Sequence, residues 1–220
     1  MCSNLVFGQK QVRVLWDTTF LNQEQFYVLK EEFGQNKKLP SGYEKVALHA
    51  LSFFPELKKN RIHFKVRDHG APASSRPAWG SLFRSAGKRT YRIFINSGKN
   101  SSKFGSIFRN ASVAAQVGVI GHELSHVVNF SKENSLGLVG MGIAHISKPS
   151  MDRFEFYTDS LCIAHGMGYY QMEWAAIFDK LFSGSGMQDP FKNKNTPTGE
   201  RYMSVATIQD YMKKMGYQVE

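Results

Sequence analysis

Two histidines and a glutamate stand close together in Gly121-His122-Glu123-Leu124-Ser125-His126. On a helix, positions four apart lie ~40° apart around the axis and one turn along it, so His122 and His126 project from one face. Two imidazoles so placed can reach one Zn²⁺ at ~2.0–2.1 Å. Glu123, beside the first imidazole, is positioned to take a proton from a zinc-activated water and later hand it to a leaving amine. Zinc polarises a carbonyl and lowers the water pKa towards ~7. The expected chemistry is hydrolysis of peptide bonds, with His122 and His126 as ligands and Glu123 as general base. The flanks suit a buried helix: Val113, Val117 and Ile120 precede the motif, and Val127 and Phe130 follow it.

Catalytic zinc sites usually take three protein ligands, so one remains to be found. Glu155 begins Glu155-Phe156-Tyr157-Thr158-Asp159 on the next helical stretch. Asp159, four residues on and on the same face, can accept the free ring N–H of a ligating histidine. Two carboxylates at that spacing repel unless positive charge lies near them, which zinc with imidazole supplies. His145 is the rival third ligand, in a Gly-rich connection where its direction is not readable. Glu155 is the preferred reading.

Around these residues the elements read as follows. Gln11–Trp16 is a short strand, and Asn22–Phe33 a helix with Phe26, Leu29 and Phe33 on one face. Ser41 and Glu44 have capping-box spacing, opening a second amphipathic helix that ends at Pro55. Arg61–Arg67 alternates as a half-buried strand, as does Thr90–Asn96. Between them Asp68–Lys88 reads as a long loop. Ala111–Phe130 is a helix, Ser131–Ser150 a Gly/Ser-rich connection, and a further helix starts near Ser150 or Asp152 and runs to about Gly166. Tyr170–Phe182 and Ser204–Met215 are the last two helices, the latter closed by Gly216. Strands and helices come first and helices afterwards, which predicts an α+β chain.

His122-Glu123-x-x-His126 followed by Glu155-x-x-x-Asp159 resembles the gluzincin clan, the thermolysin-like zinc peptidases. More narrowly it is similar to small soluble relatives of the CAAX-prenyl-protease and HtpX-like family. Arg153–Ala164 matches that family's second helix, and the resemblance spans roughly residues 90–215. It implies a zincin-like fold, with a single metallopeptidase domain over residues 1–220. It also implies an edge strand before the metal helix that pairs with an extended substrate, and Thr90–Asn96 stands in that position. Thr196-Pro197-Thr198-Gly199-Glu200-Arg201 echoes a His-Pro pair followed by Arg in the family, but the histidine is missing here. An electrophile for the developing oxyanion is required. Tyr157, His165, Tyr170 and Arg201 are the candidates, and the sequence does not choose among them.

With 42% hydrophobic and 21% charged residues, the 220-residue chain has the composition of a globular protein rather than a disordered one. Its least charged stretch, Leu136–Ala144, is far short of the ~20 residues that span a bilayer. The expected partner is a peptide or protein, handled by a soluble enzyme. Net charge is +10, but Lys and Arg are dispersed. Lys58-Lys59-Asn60-Arg61 and Lys213-Lys214 are the nearest approach to a basic run, so nucleic acid is not an expected partner. Cys2 and Cys162 form no metal-binding pair. Leu5–Gln9 could be the stub of a secretory signal, giving a secreted or periplasmic protein; otherwise the chain is cytoplasmic. Two other functions compete. One is a SprT-like protease of DNA-bound proteins with a three-histidine site, which would use the positive charge. The other is a non-catalytic zinc-binding module, in which Glu123 would have no task.

Overall fold

The computed structural model describes residues 21–98, 105–144, 147–182 and 199–218. The expected strand Gln11–Trp16, the Leu5–Gln9 stretch, Cys2, His145 and Thr196–Thr198 lie outside them. The chain is α+β and mostly helical, with one small mixed sheet.

Helix α1 spans Gln23–Phe33. Asn22 caps it: its side chain accepts from the Gln25 amide at 2.8 Å, while the Gln25 side chain accepts from the Asn22 amide at 3.1 Å. Strand β1 is Lys37–Lys38 and helix α2 is Glu44–Ser52. The expected Ser41–Glu44 capping box does not form. Tyr43 is the N-cap residue and makes no side-chain cap, so α2 is held by its buried face, Val46, Ala47, Leu48, Ala50 and Leu51. Strands β2 (Arg61–Arg67), β3 (Ala73–Pro77) and β4 (Thr90–Asn96) complete the sheet, in the order β1-β2-β4-β3. Strands β1, β2 and β4 are parallel, and β3 runs antiparallel to β4.

Two expectations are corrected here. Asp68–Lys88 is not a long loop: it contains β3, and short 3₁₀ turns at Trp79–Ser81 and Ala86–Lys88 follow. Strand β3 escapes sequence reading because Ala73-Ser74-Ser75-Arg76-Pro77 has neither apolar alternation nor β-branched residues, and pairing with β4 supplies its order. Consequently β4 is interior, between β2 and β3, and is not the edge strand. Ile93 and Ile95 are fully buried, as an interior strand requires.

Helix α3 is Gly105–Asn110, and α4 is Val113–Lys132. The Ser112 side chain caps α4 by accepting from the Ala115 amide at 3.1 Å. Nearly every residue of α4 from Ala114 to Val128 is buried, because α2, β3, α6 and α7 all pack on it. Gly118 permits the closest approach: a Cβ there would sit 2.1 Å from the Tyr170 carbonyl oxygen of α7. The carbonyls at the end of α4 are met by the buried Arg89 guanidinium, which donates to Glu133 O at 2.5 Å and Phe130 O at 3.5 Å.

Helix α5, Ser135–Ala144, occupies part of the expected Gly/Ser-rich connection. Its glycines weaken helix propensity, and Leu138, buried against the core, anchors it. Among the described residues, no helix is long and apolar enough to cross a membrane. Helix α6, Lys148–Cys162, begins earlier than expected, with Pro149 in its first turn. Asp152 is therefore a buried interior residue, paired with Arg201 rather than capping. A π-turn at Ile163–Met167 follows, in which Gly166 takes φ 94°, a conformation that costs most other residues strain. Helices α7 (Gly168–Phe182) and α8 (Val205–Lys214) end the fold, with Met212 of α8 lying against Gly168.

Candidate metal centre

Helix α4 presents His122 and His126 from one face, one turn apart, with ring centroids 4.7 Å apart. Helix α6 crosses against that face and brings Glu155 between them. The Glu155 carboxylate oxygen Oε2 lies 3.1 Å from His122 Nε2 and 3.2 Å from His126 Nε2. One donor atom from each of the three residues lies within 4.8 Å of the others. This is the cluster expected from sequence, and among the described residues it is the one group able to hold a metal ion.

The hydrogen bonds around the rings orient their lone pairs. His122 Nδ1–H donates to Asp159 Oδ1 at 2.7 Å. Asp159 is fully buried and takes two more donors, the Gln171 side-chain amide at 2.5 Å and the Met203 backbone amide at 2.8 Å. Thr158 Oγ1 donates to Phe154 O at 2.8 Å, and so can accept from His126 Nδ1–H at 3.3 Å. Both Nδ1 protons are thus used on α6. Both Nε2 atoms are left facing the Glu155 carboxylate, as metal ligation requires. Phe154 stacks on His126 at 5.1 Å and Phe130 lies 6.0 Å away on a nearly parallel plane, fixing that imidazole further.

Charge balance points the same way. Glu123, Glu155 and Asp159 bring three carboxylates into one buried pocket. Burial opposes ionisation of Glu155, but the two histidines outweigh it and hold its carboxyl well below the usual range. Burial likewise opposes charging of His122, and Asp159 with Glu155 overcomes it, raising that imidazole well above its ordinary value. The pocket therefore calls for positive charge, and a divalent cation between the two Nε2 atoms and Glu155 meets that demand. The donor set of two imidazoles and a carboxylate fits zinc.

Glu123 is buried beside the cluster, and burial pushes its carboxyl above the ordinary value. Its Oε2 has no hydrogen-bond partner, and neither does the hydroxyl of Ser75 on β3. Ser75 is nevertheless close enough to favour the ionised carboxylate. An unpartnered buried carboxylate oxygen costs free energy that a bound water or substrate would recover.

Each of the four expected electrophiles is placed by other contacts. Tyr157 is 53% exposed on α6, two positions from Glu155 and so on the opposite side. His165 stacks on Phe54 and bonds Glu56 Oε1 at 2.7 Å. Tyr170 is buried against His49 Nε2 at 2.8 Å. Arg201 is held by Asp152. Instead Tyr202 faces the site, its ring centroid 5.7 Å from that of His122. Burial, then Glu155, Glu123 and Asp159, raise its phenol well above the ordinary range, so it stays a proton donor. Tyr202 escaped sequence reading because it sits outside any helix, 47 residues after Glu155. Its neighbours place it: Arg201 pairs with Asp152 and the Met203 amide donates to Asp159, so both flanks of Tyr202 are tied to α6.

No family model, curated protein or solved structure matches this chain.

Proposed function

We propose that the chain is a zinc-dependent metallopeptidase of the zincin type, similar to the soluble gluzincins. The observation that carries this reading is the convergence of both histidine Nε2 atoms on Glu155, beside a buried Glu123 oxygen without a partner. His122, His126 and Glu155 would hold zinc, which supplies Lewis-acid polarisation of a carbonyl and a more acidic water. Glu123 would take a proton from the water as the water oxygen bonds to the carbonyl carbon, and would return it to the amine nitrogen as the C–N bond breaks. Tyr202 donates its phenolic proton in a hydrogen bond to the carbonyl oxygen as negative charge grows there. Asp159 and Thr158 keep the imidazoles in the ligating tautomer throughout.

A peptide is favoured as substrate because β3 offers an open edge beside Glu123. Among the described residues β3 pairs only with β4, and its Ser75 side chain points to the Glu123 carboxylate. An extended chain can add to that edge through main-chain hydrogen bonds. Glu155 lies against both histidine Nε2 atoms, which supports an acid as the completing ligand and so favours this reading over the SprT-like one. The test is hydrolysis of a mixed peptide library, followed by mass spectrometry, with wild type and Glu123→Gln. Cleavage by the wild type that a zinc chelator stops and added zinc restores is expected, with cleavage by the variant slower by ~10²–10⁴. Equal cleavage by both would end the mechanism.

A further inference from the structure

The reverse face of the sheet has a different chemistry, and strand register creates it. Lys38 of β1 pairs with His63 of β2, His63 with Arg92 of β4, and Arg92 with Arg76 of β3. Four basic side chains from four separate strands therefore stand in one row across the whole sheet. Strand spacing of ~4.8 Å makes that row about 14 Å long. Arg61 and Lys65, two positions either side of His63, lie on the same face of β2 and are exposed.

Among the described residues these charges are not neutralised. None of Lys38, Arg61, Lys65, Arg76 or Arg92 is in an ion pair among the described residues. Arg92 Nε is buried without a hydrogen-bond partner. His63 is lowered below its ordinary value by burial and then by Lys38, Arg61, Arg92 and Lys65, with no carboxylate acting on it. Like charges directly opposite in a sheet are destabilising, so the row costs the fold stability unless something anionic covers it. The strand residues of this face offer no exposed apolar side chain for insertion. Its aromatic residue, Phe94, is 4% exposed, with the Arg67 and Arg76 guanidinium groups 4.1 and 5.3 Å from the ring centroid.

We propose that this outer sheet face binds the phosphate backbone of nucleic acid, independently of base sequence. Each strand of duplex DNA carries one phosphate per ~3.4 Å of axis, so a 14 Å row runs beside roughly four phosphates of one strand. An anionic membrane is the weaker fit, because the exposed strand residues of this face are basic or polar, and the exposed apolar side chains nearest in sequence, Trp79 and Phe83, lie beyond β3. The proposal does not rest on the peptidase reading. Ser75 points from β3 to Glu123 on the inner side and Arg76 points outward, so the two surfaces lie on opposite faces of one strand.

The experiment is fluorescence anisotropy with a labelled duplex of random sequence, titrated with the full chain across a salt series. Wild type and Glu123→Gln should bind alike, with affinity falling steeply as salt rises. Lys38→Gln/Arg76→Gln alters two exposed residues, so the fold should survive, as circular dichroism would verify. It should reduce affinity about tenfold and the salt slope by about two. Lys213→Gln/Lys214→Gln on α8 removes the same charge elsewhere and should leave binding near wild type. Absence of binding at low salt, or equal loss in both double variants, would overturn the proposal. So would sedimentation with phosphatidylserine vesicles without DNA binding, which would assign the face to a membrane.

Discussion

The inner and outer faces of the sheet are made by the same four strands and treat polar groups in opposite ways. On the inner side α4 and α6 bury Glu123, His122, His126 and Asp159, and most of their polar atoms have named partners. On the outer side Arg92 and Arg76 stand directly opposite each other, neither in an ion pair among the described residues. A protein interior tolerates charge only where it is paired or metal-bound, so the inner cluster reads as a site completed by a cation. A surface tolerates unpaired like charges at a modest cost, so the outer row reads as a site completed by an anion. Strand β3 belongs to both, with Ser75 inward and Arg76 outward.

The largest effect should come from the inner face. Glu123→Gln is expected to lower peptide turnover by ~10²–10⁴ while zinc content and DNA affinity stay at wild-type values. A parallel loss of DNA binding would show that the two faces are not separable. Tyr202→Phe follows, with kcat reduced by ~10²–10³, KM little changed and zinc retained. A variant with normal kcat would remove Tyr202 from the reaction. Asp159→Asn should weaken zinc binding by ~10–100-fold in chelator competition, because the acceptor that orients His122 becomes neutral. Thr158→Val should do less, since its bond to His126 is long and uncharged.

The smallest effect concerns the packing behind the inner face. His49 of α2 is pulled down to about 4 by burial, from 6.5. Its folded pKa lies below its unfolded one, so the unfolded chain binds the proton first. The contribution to stability is present above pH 6.5 and is lost as pH falls towards 4, amounting to at most about 3 kcal/mol. Denaturant melts at pH 7 and 4.5 should show that loss in the wild type, and less of it in His49→Gln.

The two faces also differ in how far the sequence discloses them. His122, Glu123 and His126 are legible because one helix carries them and its period fixes their direction. Glu155 and Asp159 are legible for the same reason, one helix later. Tyr202 is not, since only tertiary ties of Arg201 and Met203 to α6 bring it in. Strand β3 is not, since partner strands rather than propensity order it, and with it went the identity of the edge strand. The basic row is hidden for a simple physical reason: Lys38, His63, Arg76 and Arg92 are far apart along the chain, and only register assembles them. A search for dense basic runs finds none of this.

The central claim is the ligand set, and metal analysis by mass spectrometry tests it most directly. Wild type, Glu123→Gln, Glu155→Ala and His145→Ala would be purified and their zinc measured per chain. A single zinc is expected in wild type, Glu123→Gln and His145→Ala, and its loss in Glu155→Ala. Full zinc in Glu155→Ala with loss in His145→Ala would contradict the claim and replace the acid with a third histidine.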